Sequence, residues 1–339
     1  MKILAIESSC DETAAAVVEN GRNVLASEVY SQIETHKVFG GVVPEVAARE
    51  HLKVIDGIVK ETLKSSDNSL DDIDGIAVTQ GPGLIGALLV GITYAKGLAM
   101  GSAKPLIPVN HVHAHVHGAL LGLDEGEEPQ YPALALVVSG GHTNLYLMNA
   151  PTNFQLVGHS IDDACGESFD KVAKLLQLGY PGGPIVEKMA RSGRPGAYPM
   201  PRMVEEKARL QFSYSGLKTH IYNILRKAPD GLDEQQQADL CYAFQEEALG
   251  QLVRKIDAAS SRYPVKSILI AGGVAANLRF KERLTESCSI PVQFPHLRFC
   301  SDNAAMIAAL GFHQYSCDQE NGSQFFDYDW DAFSRYDFS

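Results

Sequence analysis

A long internal duplication constrains the fold of this chain more than any other feature of its sequence. A pattern of strand, turn, return strand and third strand occurs twice, and the copies align when Thr13 is placed on Thr143, an offset of 130 residues. In each copy a later buried strand runs into a glycine-containing turn and a helix, at residues 73–86 and again at 267–277. A repeat of this length predicts two similar α/β domains rather than a solenoid of short units.

The duplication sets the expected domain boundaries. We expect one lobe at residues 1–130 and a second at 131–315, with an insertion at about 165–262 whose pattern is largely helical. Residues 316–339 form a tail with seven aromatic and six acidic residues. Such a tail could dock on the protein's own surface, contact a partner or remain flexible, and the sequence leaves these alternatives open.

The composition is typical of a globular protein without a membrane segment. Of 339 residues, 45% are apolar and 21% are charged, and no apolar run reaches the roughly 20 residues needed to cross a bilayer. An acid occurs as early as Glu7, which is not typical of a secretory signal. The six cysteines include no C-x-x-C pair, so we expect reduced thiols and a cytoplasmic protein.

The formal net charge of −12 argues against a protein that binds nucleic acid by itself, because such proteins usually present a basic face. It is compatible with a nucleic-acid substrate that partner proteins help to present. Lysines and arginines cluster at 188–209 and 279–283. Solvated helix faces explain these clusters as well as a binding surface does.

Residues 110–117 read N-H-V-H-A-H-V-H and contain four histidines. In a helix, His111 and His115 lie one turn apart on one face, an arrangement that can chelate a metal ion. Metallopeptidases with such a pair carry a glutamate directly after the first histidine as general base, whereas this chain has Val112 there. Taken alone, the pair is compatible with a metal site and with ordinary core or surface histidines.

A carboxylate is expected close to these histidines. In open α/β sheets, ligands bind at the carboxyl ends of strands, where loops lead into helices. The histidine helix and the helix after Asp302 follow corresponding strands of the two copies. We therefore expect Asp302 to approach His111 and His115 from the second lobe, across a cleft, and to complete a metal site with them.

A series of short motifs, taken together, points to one family. The motifs are E-S-S-C-D-E-T at 7–13, G-G-V-V-P-E at 40–45, G-P-G-L at 81–84, H-x-x-x-H at 111–115, V-S-G-G-H-T at 138–143, D-D-A at 162–164, F-D-K at 169–171, Y-P-G-G-P at 180–184, S-Y-S-G-L-K at 213–218, A-G-G-V-A-A-N at 271–277 and S-D-N at 301–303. In this order and spacing, over about residues 1–315, the chain closely resembles the bacterial TsaD family of tRNA threonylcarbamoyladenosine transferases.

The resemblance implies a duplicated fold of the actin, hexokinase and heat-shock-ATPase type, which is ribonuclease-H-like, with two lobes around a nucleotide cleft. It also implies the activity. A threonylcarbamoyl group is transferred from threonylcarbamoyl-adenylate (threonylcarbamoyl-AMP) to the exocyclic amine of the adenosine 3′ of the anticodon, in tRNAs that read codons beginning with A. The product is N6-threonylcarbamoyladenosine (t6A). The implied partners are a TsaB-like paralogue, a TsaE-like ATPase, and a synthase that makes the adenylate from threonine, bicarbonate and ATP.

The resemblance also assigns roles to residues. His111, His115 and Asp302 would hold one divalent metal ion, for which Fe(II) is favoured over Zn(II). Asp11 and Glu12, in the first hairpin, would lie on the phosphate side, where proton removal and a plain turn function are both open. The residues implied to bind the adenylate are Val137, Val138, Ser139, Gly140, Gly141, Asp170, Gly183 and Asn277. Glycines at such positions let backbone N–H groups approach a phosphate.

Two other functions compete with this interpretation. The first is a metallopeptidase of the glycoprotease type, which the histidine pair suggests and the missing adjacent glutamate disfavours. The second is a non-catalytic scaffold subunit of the same complex. A scaffold of that kind should lack the metal-binding residues, and this chain has all three: His111, His115 and Asp302.

Overall fold

The computed structural model describes residues 1–123, 128–204, 209–229, 231–318 and 324–335. Within these ranges the strands are β1 (Lys2–Glu7), β2 (Glu12–Glu19), β3 (Asn23–Ser31), β4 (Gly75–Gly81), β5 (Leu106–Asn110), β6 (Ala133–Val138), β7 (Thr143–Ala150), β8 (Asn153–His159), β9 (Ser267–Ala271) and β10 (Val292–Gln293). The α-helices are α1 (Ile33–Lys37), α2 (Pro44–Ser65), α3 (Ile85–Ser102), α4 (His111–Gly118), α5 (Cys165–Leu175), α6 (Gly182–Ala190), α7 (Ser215–Arg226), α8 (Glu234–Arg262), α9 (Leu278–Ser287) and α10 (Ala304–Cys317).

The two sheets have the same topology, which confirms the α/β class and the internal duplication. The first has the strand order β3-β2-β1-β4-β5 and the second the order β8-β7-β6-β9-β10. In each sheet the first three strands along the chain are antiparallel neighbours, and the last two continue the sheet in parallel from the first strand. Parallel strands need helical crossovers, and α2 and α5–α8 provide them at equivalent places.

The turn between β2 and β3 shows how local sequence sets the register. Asn20 and Gly21 both take positive φ, at 52° and 70°, a conformation that asparagine and glycine tolerate better than other residues. A Cβ on Gly21 would lie 2.5 Å from the ring of Phe312, so a larger residue there would also collide with α10. An Asn-Gly pair between two strand patterns predicts a hairpin turn, and the antiparallel pairing of β2 and β3 confirms it.

The core of the first sheet is formed by alternate residues of its strands. Leu4, Ile6 and Val78 lie on one face and pack with Leu88 and other residues of α2 and α3. Helix α10 covers the opposite face. Ala77 lies between Ile76 and Val78 in β4, so its side chain points to this opposite face. A Cβ on Gly311 of α10 would be only 2.8 Å from the Ala77 side chain. The sheet is therefore buried on both sides, and side chains at the ends of its strands are the ones free to form a site.

The chain divides into two compact units, and the division corrects our domain boundaries. The first unit comprises Met1–Glu128 and Pro295–Ser339, and the second comprises Pro129–Phe294. The second lobe therefore does not extend to residue 315 as expected. The reason is that residues 304–311 of α10 are all buried, and this apolar helix packs against β1, β2, β4 and β5. Asp302 consequently belongs to the first unit, and the expectation that it comes from the second lobe is wrong.

The helical insertion is confirmed within the second unit. Helices α5–α8 lie between β8 and β9, and they run from Cys165 to Arg262 with the predicted limits. Helix α8 has 29 residues and starts with Asp233 as its N-cap, whose side chain accepts a hydrogen bond from the Gln236 N–H. Phe244 of this helix stacks edge-on with Phe169 of α5, at 4.9 Å between ring centroids.

Among the described helices, α3 is long and apolar enough to cross a membrane by length and composition alone, with a mean hydropathy of 1.3 over 18 residues. The core helix of a globular domain passes the same test. Leu88, Ile92, Ala95 and Ala99 of α3 are buried in the core of the first unit.

The described part of the aromatic tail, residues 324–335, docks on the first unit. The Lys96 ammonium lies 4.6 Å from the centroid of the Trp330 ring and donates to the Trp330 carbonyl at 2.8 Å. The Gln80 side chain donates to the Asp331 carbonyl at 2.9 Å, and the Phe333 N–H donates to the Gln80 carbonyl at 3.3 Å. Of the alternatives left open by the sequence, the structure shows docking on the protein's own surface for these residues; residues 319–323 and 336–339 lie outside the described ranges.

Candidate metal centre and glycine-rich turns

The two histidines of the predicted pair start helix α4 at the end of β5. The Asn110 side chain accepts hydrogen bonds from the N–H groups of Val112 and His113, at 3.0 and 3.1 Å, so the helix begins directly at His111. His115 follows one turn later on the same face. Both side chains are buried, with 5% and 2% of the residue surface exposed. The helical spacing predicted from the sequence is confirmed.

The structure brings Asp302 to this pair from the segment that precedes α10. One Asp302 oxygen, Oδ1, lies 3.7 Å from His111 Nε2 and 3.3 Å from His115 Nε2. One ligand atom from each of these residues lies within 4.8 Å of the others. Gly118, at the end of α4, packs closely on this segment, since a Cβ there would be 3.2 Å from the Phe299 carbonyl oxygen.

The nitrogen lone pairs of the two imidazoles are suited to binding a metal ion. Both ring nitrogens of His115 are buried and have no hydrogen-bond partner among the described residues. Buried polar atoms are normally paired, so such an imidazole is suited to a ligand. His111 Nδ1 donates to Glu7 Oε2 at 2.9 Å, which leaves its Nε2 lone pair directed to the side of Asp302. A carboxylate that orients the ligating histidine in this way is the usual outer contact of metal sites.

Electrostatics at this place favour positive charge. Burial by itself would lower the pKa of His111, but the carboxylates of Glu7 and Asp302 outweigh it and raise that pKa to about 9. Burial would likewise raise the pKa of Glu7, and the neighbouring His111 brings it below its ordinary value. The carboxylates that favour a proton on His111 also favour a divalent cation bound between the imidazoles and Asp302.

Glu7 is a residue of this site that the sequence motifs do not single out. It ends the central strand β1 and is completely buried. Its two oxygens accept hydrogen bonds from the Ser9 N–H at 2.5 Å, the Thr79 hydroxyl at 2.6 Å and His111 Nδ1. A buried acid at the carboxyl end of a central strand, before a polar turn, is the signal that could have identified it.

His51 of α2 holds the turn with Asp11 and Glu12 through hydrogen bonds to the residues on either side of it. His51 Nε2 donates to the Cys10 carbonyl at 3.0 Å, and its Nδ1 accepts from the Thr13 hydroxyl at 2.7 Å. The pKa of Glu12 is raised to about 9, first by burial and then by the charges of Asp302 and Asp11. Glu12 thus lies within electrostatic reach of Asp302, and both acids of the turn belong to the first unit.

The predicted ligand-binding turn of the second unit lies between β6 and β7. The Ser139 N–H donates to the His142 carbonyl at 2.8 Å, and the Gly166 N–H at the start of α5 donates to the Ser139 carbonyl at 3.1 Å. A Cβ on Gly140 or on Gly141 would meet no atom within 4 Å, so the turn is open on one side. Val137 and Val138 are fully buried, and they can offer a ligand only backbone atoms.

Asp170 and Gly183 are brought together at the start of α6, and Asn277 is held at the start of α9. Asp170 Oδ1 accepts a hydrogen bond from the Gly182 N–H at 2.6 Å, and burial raises the pKa of this acid. A Cβ on Gly183 would meet nothing within 4 Å. The Asn277 side chain caps α9 through the Phe280 N–H at 3.0 Å and donates to Gln245 at 3.0 Å. Its side-chain oxygen and amide group therefore already have structural partners.

Sequence comparison places the chain beside one group of enzymes. The model of the TsaD family, described as tRNA N6-adenosine threonylcarbamoyltransferase, matches residues 23–309. Relatives with that same name are 47% identical in Clostridium beijerinckii, over 92% of this chain and 92% of the relative, and 48% identical in Kosmotoga olearia, over 93% of each. A Geotalea uraniireducens relative of the same name is 48% identical over 93% of this chain and 92% of its own length.

Comparison with solved structures supports the fold. T. kodakarensis HypF superposes with a TM-score of 0.58 at 14% identity, covering 93% of this chain and 48% of that one. Component A of the (R)-2-hydroxyglutaryl-CoA dehydratase of Acidaminococcus fermentans superposes with a TM-score of 0.53 at 15% identity, covering 93% and 99%. The duplicated sheets and these neighbours confirm the two-lobed actin, hexokinase and heat-shock-ATPase type of fold.

Proposed function

The chain belongs to the TsaD family of tRNA N6-adenosine threonylcarbamoyltransferases, and we propose from this premise how its residues carry out the transfer. The reaction forms N6-threonylcarbamoyladenosine. The adenosine amine attacks the carbamoyl carbonyl carbon of threonylcarbamoyl-AMP, a C–N bond forms, the bond from that carbon to the phosphate oxygen breaks, and AMP and a proton leave. The observation that carries the assignment is the convergence of His111, His115 and Asp302 in a chain of this family.

His111, His115 and Asp302 would hold one divalent ion, Fe(II) in preference to Zn(II). When bound, this ion supplies a Lewis acid that polarises carbonyl or carboxylate oxygens of the threonylcarbamoyl group. Two imidazoles and one carboxylate leave coordination positions open for such oxygens. Glu7 keeps the Nδ1 proton of His111 in place, so that Nε2 is the nitrogen offered to the ion.

The second unit would bind the adenylate. Backbone N–H groups of the open turn at Gly140 and Gly141 can approach the phosphate, because no Cβ stands in the way. The Asp170 carboxyl and the open backbone at Gly183 would bind the nucleoside, and Asn277 would add a backbone contact, since its side chain caps α9. Val137, Val138 and Ser139 complete this set through the main chain.

The amine of adenine is a weak nucleophile because its lone pair is delocalised into the ring. Orientation of the two reactants therefore has to provide much of the rate enhancement. Of the two first-hairpin acids we propose Asp11 for accepting the amine proton, because burial and the charges of Asp302 and Asp11 raise the pKa of Glu12 to about 9 and leave Glu12 mostly protonated near neutral pH.

We further propose the partners and place of the reaction. A synthase supplies threonylcarbamoyl-AMP, and a TsaB-like paralogue and a TsaE-like ATPase work with this chain on tRNA in the cytoplasm. Partners that bring positive charge would strengthen the binding of tRNA, because the chain itself has a net charge of −12.

The assay combines the protein and its partners with threonine, bicarbonate, ATP, synthase and unmodified tRNA, and then quantifies t6A in the digested RNA. We expect product with the wild-type chain and a loss of at least about 100-fold with Asp302→Ala, because one of three metal ligands is removed. Lys266 is an exposed residue of the second unit, so Lys266→Ala serves as the control and should leave product formation unchanged. Equal product from Asp302→Ala and wild type would refute the site.

A further inference from the structure

We propose that helix α6, residues 191–202 and helix α7 of the second unit form the surface that binds the tRNA phosphate backbone; we call it the α6–α7 basic surface. This inference rests on the proposed function, because it assigns the place where the substrate of that reaction docks. It answers a difficulty raised by the overall charge: an acidic protein needs at least one region where a polyanion is attracted.

Charge is distributed very unevenly between the two units. The first unit carries 25 acidic and 11 basic residues, whereas the second carries 16 acidic and 18 basic residues. Within the second unit, residues 171–227 contain eleven lysines or arginines and three acids. A polyanion is therefore repelled by the first unit and attracted to this stretch of the second.

Several of these cations remain available to a ligand. Lys171 and Lys218 pair with Asp163, Arg191 with Glu187, and Arg194 with Asp239. The exposed cations that have no ion pair among the described residues are Lys174, Lys188, Arg202, Arg226 and Lys227. A solvated helix face that served only solubility would show the alternation of signs seen on α2, where Lys60 pairs with Asp56.

The segment between α6 and α7 is held at one end by α8 and at the other by α7. At its start, the Gln235 side chain of α8 donates to the Ser192 carbonyl at 3.0 Å, and Arg194 makes two hydrogen bonds to Asp239 at 2.7 Å. At its end, His220 of α7 donates to the Pro199 carbonyl at 3.0 Å. The segment that carries Arg202 is thereby tied to α7, the helix that also carries Arg226.

Helix α7 adds an aromatic side chain suited to nucleic acid. Half of the Tyr222 surface is exposed, and Tyr222 and Arg226 are four residues apart on one helix face. Exposed aromatic rings stack on unpaired bases, while arginines contact the phosphates beside them. The pair is therefore suited to a single-stranded loop, the kind of RNA in which bases are splayed out.

The test compares two double variants with the same change in charge. Arg226→Ala with Lys227→Ala removes two unpaired cations from the α6–α7 basic surface. Arg262→Ala with Lys266→Ala also removes one arginine and one lysine, and both of these residues are exposed. They lie at the C-terminal end of α8, and the 29 residues of this helix place that end about 43 Å from Glu234 at its start. Binding of an unmodified tRNA transcript to the full chain is measured between 50 and 200 mM salt by filter retention.

We expect the first double variant to bind tRNA about tenfold more weakly than wild type, with a slope of log K against log salt that is smaller by about two. The second double variant should match wild type in both. Tyr222→Ala should weaken binding with no change of slope, because stacking releases no counterions. Equal affinity and slope for both double variants would overturn the proposal.

Failure of the surface and failure of the function give different results. If wild type and both double variants bind tRNA alike and form t6A, the assigned surface is wrong and the transferase remains. If the wild-type chain forms no t6A with its partners while it still binds tRNA through Arg226 and Lys227, the function is wrong and the surface stands. Heat denaturation of each variant, with melting temperatures equal to wild type, excludes misfolding as the cause.

Discussion

Glu7 Oε2 accepts a hydrogen bond from His111 Nδ1 at 2.9 Å, and the same oxygen accepts a second one from the Thr79 hydroxyl at 2.6 Å. A completely buried acid thus fixes both the orientation and the tautomer of the first histidine of the metal site. Its position links the end of the central strand to the helix that carries the ligands.

Glu7→Gln should weaken metal binding by about 10–100-fold, because ligating histidines lose affinity when the acceptor behind them is removed. A glutamine has one oxygen for the three donors of Ser9, Thr79 and His111, so its NH2 group would face one of them. Competition of Zn(II) with a chelator measures the affinity. Thr79→Val, which removes one donor and leaves the carboxylate, is the matched control and should bind the metal within about threefold of wild type. Unchanged affinity in Glu7→Gln would contradict the role.

His115→Ala should lose the metal while the metal-free protein keeps most of its stability. Its two ring nitrogens form no hydrogen bond with described residues, so the substitution removes packing and no bond. His51→Ala is the comparison, since that buried histidine loses two hydrogen bonds and should be destabilised by about 2 kcal/mol. Metal content and urea unfolding of the metal-free proteins measure both effects. A larger loss of stability in His115→Ala than in His51→Ala would contradict a ligand role.

Gly183→Ala should raise the KM for threonylcarbamoyl-AMP without changing the melting temperature. A Cβ at this position meets nothing within 4 Å, so it fits the fold but enters the space assigned to the ligand. Gly182→Ala is the matched control. Its Cβ would lie 2.6 Å from the Asp170 Cα, and it should lower the melting temperature by several degrees. If Gly183→Ala left the KM unchanged at equal stability, the adenylate would bind elsewhere.

The ion pair of Asp239 and Arg194 should make stability depend on acid pH. Hydrogen bonds from Arg194 lower the pKa of Asp239 to about 2. Because the unfolded value is about 3.9, the ionised carboxylate stabilises the fold above that pH, and this contribution is lost as pH falls from about 4 to about 2. The gap in urea midpoint between wild type and Asp239→Asn should therefore be constant above pH 5 and close towards pH 2. A gap that stayed the same down to pH 2 would contradict this contribution of the ion pair.

Trp330→Ala should destabilise the first unit by about 2 kcal/mol, roughly half the cost of truncating a fully buried aromatic residue. Trp330 packs against the core of that unit and under the Lys96 ammonium. Phe326→Ala, in the same tail with 49% of its surface exposed, should cost less than about 0.5 kcal/mol. Urea unfolding of the metal-free proteins gives both values. If Trp330→Ala lowered the free energy of unfolding as little as Phe326→Ala is expected to, the docking of Trp330 would add nothing to stability.

Local patterns predicted the elements well because each rests on short-range physics. The Asn20-Gly21 turn, the start of α4 after Asn110 and the limits of the helical insertion depend on neighbouring residues alone. The duplication then predicted two similar α/β domains, and the two sheets do share one topology. The His111 and His115 spacing could be read in the same way, since it depends only on helix geometry.

Long-range packing decided what the sequence did not disclose. Asp302 follows the strands of the second unit along the chain, yet α10 packs on the first sheet because its apolar surface completes that core. No local pattern distinguishes the two destinations. Glu7 and the docked tail are similar cases, in which partners such as Thr79 and Lys96 are more than 70 residues away along the chain.

The order in which the chain is synthesised gives α10 a further meaning. A ribosome completes the strands of the first sheet by residue 110, but it makes Asp302 and the helix covering one face of that sheet only after the whole second unit. At ordinary rates of translation the delay of roughly 190 residues lasts about 10–40 s. During that time an apolar sheet face stays uncovered and the third ligand does not yet exist. An ion held by His111, His115 and Asp302 could therefore bind only at the end of synthesis, and chaperones that shield nascent chains have a defined surface to protect until then.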